Sequence, residues 1–555
     1  MIPFDRIRQP GEVILAKICM EVYMKANPNR FWVIVILLGW AFDFLFWKKP
    51  IGVNFAIYVI LCVATGIFLL QLDGLRLARG SSLLLLPIAF LAAMTFVRQE
   101  PMTVFLSVSA VLFLMGVFAL TYVSGQWTRY ALLDYIFGYF RLFGSMIVRP
   151  LGFVAEHRRE QVPTSEKPTT YIWPVLRGVV FALPVIAIFA SLLSSADPIF
   201  AKRFEGFIDL FKIDNLPEYI FRLAYILVFA YILAGTFLHA AQKSHETVEE
   251  RTVVPAFLGF TESAIVLGSV LILFIAFVTI QFQYFFGGQA NIHIEGYTFS
   301  EYARKGFGEL VAVAFFSLLM LLGLGAITRR EIESQRRIFS GLGIALVGLV
   351  IVMLISAFQR LVLYEVAYGF SRLRTYTHVF MIWLGLLLIT VVFLEMTRRE
   401  RGAGLAMLLA TLGFVISINI LNVDSFIVKQ NIRREIRAVN DKAFALGRAD
   451  LDTQYFLDLS DDAIPPLVSA YRSTTVPASV KSKIGMSLAC IRYTRNQDDR
   501  KYSWQSFHFS RYYADNALSG VKKDLDKYKI VDKDWPVKMQ APSGEEASCY
   551  QYYYD

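Results

Sequence analysis

Two short charged stretches stand out in a chain otherwise poor in ionisable residues. The first, Tyr297-Thr-Phe-Ser-Glu-Tyr-Ala-Arg-Lys-Gly-Phe-Gly-Glu-Leu, brings Glu301, Arg304, Lys305 and Glu309 close together. Ser300 can cap a helix that begins at Glu301, where an acid suits the positive helix end. Glu301 and Lys305 lie four apart, on one side of that helix. The second stretch runs Arg360-Leu-Val-Leu-Tyr-Glu365-Val-Ala-Tyr-Gly369-Phe-Ser-Arg372-Leu-Arg374. A guanidinium can hold phosphate or carboxylate bidentately while its stem stays in apolar surroundings. The two stretches therefore predict an anionic-ligand site made by Arg304, Lys305, Arg360, Arg372 and Arg374, with the carboxylates Glu301, Glu309 and Glu365 keeping the bases from repelling one another. The plainer alternative is a set of interfacial charges that snorkel and pair among themselves. Both readings stand open.

Other chemistry has no matching pattern. The chain contains no G-x-x-x-x-G-K-S/T, no H-E-x-x-H, no G-x-S-x-G and no dinucleotide fingerprint. His293, His378 and His508 are single residues without carboxylates at metal-ligand spacing, so no metal and no cofactor is expected. No residue is assigned as catalytic, and whether the protein is an enzyme is left open. Cys19 and Cys62 read as small hydrophobes. Cys490 and Cys549 both follow the last apolar stretch, and an oxidising compartment would let them form a disulfide that pins the chain's tail.

The elements that must position these residues are set by composition. Of 555 residues 56% are hydrophobic and only 18% are charged, with a mean hydropathy of +0.50. Soluble domains carry about a quarter charged residues, so lipid is part of this chain's solvent. The net charge of +10 is no sign of nucleic acid, because much of it falls in short runs between apolar segments, where Lys and Arg set membrane orientation. Apolar segments occur near 31–47, 51–70, 81–97, 103–123, 173–193, 219–240, 261–286, 308–327, 339–359, 376–395 and 402–421. Most reach the roughly 20 residues that a helix needs to cross a bilayer. The sequence thus predicts an all-α, polytopic helical membrane protein in an inner or plasma membrane. Residues 1–30 form a cytoplasmic N-terminal segment that resembles no signal peptide, 31–422 a transmembrane domain of about eleven helices, and 423–555 a small, mainly α-helical soluble domain.

With the N terminus inside, the connections assigned to the cytoplasm hold 22 Lys and Arg and those assigned outside hold 11. Eleven spans then place the C-terminal domain outside the cytoplasm. Residues 130–143 read as an amphipathic interfacial helix, and the polar run after Pro150 as a loop. Beyond 422, helices are expected at Phe426–Leu446, from Asp461, at Lys483–Arg492 and at Ser503–Lys529, the last with an aromatic stripe that could lean on the membrane.

Several ordered motifs carry a family resemblance: Thr298-Phe-Ser-Glu-Tyr-Ala-Arg304, Leu363-Tyr-Glu-Val-Ala-Tyr-Gly369 with Leu373-Arg374, and Asn422-Val-Asp424 with Phe426-Ile427. Asp461-Asp-Ala-Ile-Pro465 and Trp504 followed by Phe507 and Ser510-Arg511 extend it. Over roughly residues 180 to 520 the chain resembles a bacterial family of polytopic membrane proteins catalogued only as a domain of unknown function. The resemblance implies a bacterial envelope protein and supplies no reaction.

Three functions fit. A scaffold or sensor of the cell envelope would engage membrane lipids and an envelope or inner-membrane protein partner. An enzyme modifying envelope lipid or glycan would use the charged outer face, and a small-solute transporter would need a polar route through the core. The scaffold or sensor demands least of the sequence. Reporter fusions after residues 245, 334 and 555 are expected to read inside, inside and outside. An inside signal from residue 555 would show a span count wrong by one.

Overall fold

The computed structural model describes residues 27–160, 216–241, 256–286, 307–399, 401–441, 450–497, 502–532 and 536–549, with isolated positions between 182 and 200. Among them, ten helices are long and apolar enough to cross a membrane. These are α1 (Pro28–Phe46), α2 (Val53–Leu72), α3 (Leu85–Val97, prolonged backwards by the short helix Arg79–Ser82), α4 (Pro101–Thr121), and, after the amphipathic α5 (Leu132–Glu160), α6 (Leu216–Ala240), α7 (Phe260–Phe286), α8 (Phe307–Ile327), α9 (Glu333–Tyr368), α10 (Arg372–Met396) and α11 (Gly402–Leu421). Each coincides with an apolar segment of the sequence. The expected span at 173–193 falls where only isolated positions are described. The protein is all-α and polytopic, and its helices turn large apolar side chains outward (Leu86 is 77% exposed and Ile272 70%), as lipid-facing surfaces do.

The chain divides into two compact units. The smaller contains α1, α6 and the later part of α5. Here Gly39 lets α1 approach α6 so closely that a Cβ would stand 2.6 Å from the Ile226 carbonyl oxygen. Asp43, buried within α1, accepts from Arg222 Nε at 2.9 Å and from the Tyr225 hydroxyl at 2.6 Å. A buried carboxylate in a span is tolerable only with such partners. One expectation is corrected in α5, which does not end at Pro150 but continues to Glu160. The helix is held on either side of the proline: before it, Gly235 packs on the Met146 backbone and Arg149 Nη1 donates to the Leu238 carbonyl at 3.3 Å, and after it the Phe153 ring meets Phe31 edge-on at 5.5 Å. Its apolar face, with Ile147, Val148 and Leu151 exposed, suits a membrane surface.

The larger unit contains α2–α4, α7–α11 and the whole described chain after them. Its helix ends sort into two groups. At one end, Ala78 N donates to the Tyr122 carbonyl, and Trp127 Nε1 donates to the Gly80 carbonyl at 2.8 Å. Gly404 packs on Tyr130, Arg330 pairs with Glu395, Arg398 pairs with Glu333, and Arg329 N donates to the Leu258 carbonyl. At the other end, residues 50–53, 97–100 and 367–372 meet the C-terminal region. The helices between alternate in direction, as membrane spans must.

The C-terminal region begins with α12 (Val423–Asn440) and continues through α13 (Ile464–Arg472), α14 (Ala478–Gln497) and α15 (Phe509–Gly520). The expected helices are present, but Ser503–Lys529 is broken into a 3₁₀ turn, α15 and a further short turn. A small antiparallel sheet that the sequence pattern did not reveal follows, in the order β1 (Lys529–Asp532), β2 (Lys538–Gln540), β3 (Glu546–Ser548). Ile530 pairs with Met539, and Met539 pairs with Ala547. Strands of three or four residues carry too few alternations to be read by period. The region has its own apolar core of Val428, Ile432, Phe456, Leu467, Ile484, Leu488 and Leu518.

A Cys490–Cys549 disulfide joins α14 to the end of the sheet. Peptide mapping of native protein without reductant should recover the two cysteines linked. Reduction should lower the stability of this region by about 2–4 kcal/mol, read as an earlier thermal transition. Recovery of both as free thiols from native protein would contradict the pairing.

Candidate functional site

A helix that emerges from lipid leaves backbone groups in need of partners, and so does the short connection that follows it. At the end where the C-terminal region sits, three such connections are held by side chains from residues 424–510. Asn431 of α12 treats Phe370 as a strand neighbour would: its Oδ1 accepts from Phe370 N at 2.7 Å and its Nδ2 donates to the Phe370 carbonyl at 3.0 Å. Gly369, at φ +85°, makes the preceding turn and leaves room for that amide, which a Cβ would meet at 2.8 Å. The second connection, Arg98–Glu100, is taken by Asp462. Its Oδ2 accepts from Gln99 N at 2.9 Å and its Oδ1 from the Ser510 hydroxyl at 2.6 Å, with Arg98 Nη1 at 3.7 Å. The third, Pro50–Val53, is met by residues 506–508. Ser506 Oγ donates to the Pro50 carbonyl at 3.0 Å, and Val53 N donates to the Phe507 carbonyl at 3.1 Å. His508 Nε2 lies 2.6 Å from the Ile51 carbonyl.

Burial shapes the charge of the two titratable clamping side chains, Asp462 and His508. It pushes the Asp462 carboxyl above its usual range, against the pull of Gln99 N–H, the Ser510 hydroxyl and Arg98. It pushes the His508 imidazole below its usual value. A carbonyl only accepts, so the neutral ring carries its proton on Nε2 and donates it to Ile51.

The most deeply buried charge at the junction belongs to an ion pair beside these clamps. Arg372, first residue of α10, is bidentate to Asp424 in the first turn of α12, with Nε–Oδ1 2.8 Å and Nη2–Oδ2 2.7 Å. Asp424 is fully buried and accepts a further bond from Ser460 N at 2.7 Å. Glu100 stands 3.7 Å from Arg372 Nε and caps α4 by accepting from Met102 N and Thr103 N. The backbone N–H of Arg372 donates to Tyr455 Oη at 2.8 Å. Three helix starts thus share one cation, and the two acids gain from the positive helix ends beside them.

Beside the junction opens a cavity of about 590 Å³, lined by Gln99, Asp461, Arg492, Arg495, Tyr502, Arg511, Asp515 and Lys522 among others. Asp461 and Asp462 point to opposite tasks: Asp462 into the clamp, Asp461 to Arg495 and Arg511. Although burial works against its charge, Asp461 and Asp515 hold the Arg495 guanidinium above its usual value. In the orientation its neighbours require, the Gln99 amide donates to Asp461 Oδ2 at 2.7 Å and accepts from Arg511 at 3.2 Å. Arg511 stacks 3.5 Å over the Tyr502 ring.

The chain matches the family model described as a domain of unknown function, DUF4153, over residues 85–470. It belongs to that family. No curated protein and no solved structure resembles the chain closely enough to count as a relative. The family stretch begins about a hundred residues earlier than the motifs suggested, and it ends before Trp504–Arg511. Its motif Asn422-Val-Asp424 supplies the partner of Arg372, Asp461-Asp462 divides between clamp and cavity, and Gly369 makes the clamped turn.

The residues of the expected anionic site are distributed differently. Glu301, Arg304 and Lys305 lie outside the described residues, and Glu309 is exposed at the start of α8. Glu365 does not hold Arg372 or Arg374; it is buried 3.2 Å from His378 Nδ1. Arg360 is half-buried on α9. Arg374 donates to the Gly369 carbonyl and lies over the Tyr364 ring. Arg372 is committed to Asp424 and Glu100. Sequence reasoning missed Asp424, Glu100, Asp462 and Asn431 because their partners lie tens to hundreds of positions away. Among the described residues no three His, Cys, Asp or Glu side chains gather as a metal ion would need.

Arg372→Ala leaves Asp424 buried and unpaired, and should cost about 3–5 kcal/mol with faster amide exchange over 423–440 and 455–470. Arg374→Ala should cost far less, which a thermal shift assay on both variants would check. His508 contributes stability that is present above the ordinary imidazole value and is lost as pH falls through its lower folded-state value. Wild type should therefore lose more of its thermal stability than His508→Gln between about pH 7.5 and about pH 5.

Proposed function

We propose that this protein is a membrane-embedded scaffold or sensor of the bacterial cell envelope. Its C-terminal region, residues 423–555, works outside the cytoplasm. One observation carries this reading: the C-terminal region is joined by buried polar groups to the starts of α2, α4 and α10 at once. A domain tethered by a flexible linker could bind a partner without the spans sensing it. Here, displacement of α12 or α15 must move Arg372, Gln99 or Ile51, and with them the spans they begin or follow. Such coupling is what a scaffold needs to hold partners in fixed register, and what a sensor needs to pass a binding event through a membrane.

The side assignment rests on the excess of basic residues in the opposite connections and on the Cys490–Cys549 disulfide, which persists in oxidising compartments. The connections that meet the C-terminal region are those whose lower basic content assigns them outside.

In-cell photo-cross-linking tests the reading. A cross-linking amino acid at Val439, exposed on α12, and another at Ser334, exposed at the opposite end, should each yield discrete protein adducts. Arg372→Ala should reduce the adducts at Val439. Adducts at neither position would reject the scaffold and sensor, and would favour an enzyme acting on envelope lipid or glycan.

A further inference from the structure

The helix α15 has three faces, and the two that do not enter the core point to one ligand. Ser510, Ala514 and Leu518 turn inward. Phe509, Tyr512 and Tyr513 share a second face and are 36%, 52% and 57% exposed, with Trp504 and Phe507 exposed beside them. Arg511 and Asp515, four apart, share the third face and line the cavity. Five exposed aromatic side chains within ten residues are out of place on a surface that meets only water.

Their position explains them. The Phe509 ring lies 5.8 Å from Phe96 in the last turn of the span α3, and Ser510 Oγ lies 2.8 Å from the Val97 carbonyl oxygen. The preceding residues 506–508 bond the connection that starts α2. The aromatic face therefore sits at the ends of two membrane spans, the depth at which Trp and Tyr gather at headgroups.

The cavity lies against the same helix, and its wall includes Gln99, two residues beyond α3. Arg492, Arg495, Arg511 and Lys522 face it, against the carboxylates Asp461 and Asp515. Asp461 and Asp515 are engaged with Arg495, and Arg492 is met by Asp526 from outside the cavity. Lys522 is exposed, and no described group pairs with its ammonium. The lining carries more positive than negative charge, with a free ammonium at its edge. A volume of about 590 Å³ is of the size that holds a small ligand.

We infer that this cavity binds the phosphate of an anionic lipid headgroup, with the lipid's chains lying along the aromatic face of α15 and the end of α3. Lys522 supplies a mobile point charge and Arg511, held flat on Tyr502, a fixed guanidinium edge. This site shares no residue with the Arg304–Arg374 set. It requires the C-terminal region to lie at a membrane surface, and it stands whether or not the protein is a scaffold.

Native mass spectrometry of the full-length protein in detergent, titrated with phosphatidylglycerol, tests the assignment. Lys522→Glu should weaken the tightest lipid-binding event about tenfold, a change of about 1.4 kcal/mol. Lys429→Glu, an equal charge change on the exposed side of α12, should leave it unchanged. The double variant Trp504→Ala/Tyr512→Ala should weaken phosphatidylglycerol while leaving the thermal transition within a few degrees of wild type. Equal lipid retention by wild type and Lys522→Glu would overturn the site. Full displacement by inorganic phosphate, with no effect of the aromatic variants, would overturn the lipid assignment and leave a site for soluble phosphate.

Discussion

Everything at the junction depends on one desolvated ion pair. Asp424 has no access to water, and its charge is bearable only because Arg372 meets both of its oxygens and Ser460 N–H takes a further lone pair. That geometry fixes the start of α10 relative to the start of α12, and Glu100 adds the start of α4. A lysine could supply the charge but not the planar fork that reaches two carboxylate oxygens in parallel. The pair makes a membrane bundle and a water-facing region into one compact unit, rather than two bodies on a hinge.

The contacts around it have a common purpose. Connections at a membrane surface carry backbone N–H and C=O groups that lipid cannot satisfy, and covering them with protein removes water as well. Asn431, Asp462, Ser506 and His508 answer that need for residues 370, 99, 50 and 51. These are side chain to backbone bonds, so they recognise the path of the chain more than the identity of its residues. The adjacent acids Asp461 and Asp462 show how little sequence separates a clamping role from a cavity-facing one. One lies in a clamp closed by Ser510 and Gln99, and its neighbour balances the guanidinium groups of an open cavity.

The described ionisable groups of the larger unit's spans gather near helix ends and find partners there, as Glu395 does with Arg330 and Glu365 with His378. Polar chemistry is concentrated where the C-terminal region meets the bundle.

Hydrophobic length by itself determined the class, the positions of ten described spans and the change of character at residue 422, because burying a helix in lipid requires about 20 apolar residues wherever they lie in the chain. Short-range chemistry was legible too: the turn at Gly369 and the helix near Pro465 follow from local backbone preference. The continuation of α5 through Pro150 and the three short strands were not, since tertiary contacts outweigh a single missing hydrogen bond and strands of three or four residues have no measurable period. Charge type and clustering identified Arg372, Arg374 and Glu365 as unusual but misassigned their partners. Only the tertiary structure decided that Arg372 belongs to Asp424, Glu365 to His378 and Asp462 to Gln99. The physical reason is that an ion pair is chosen by distance and desolvation in space, and a sequence records neither, whether the partners stand 13 positions apart or 363.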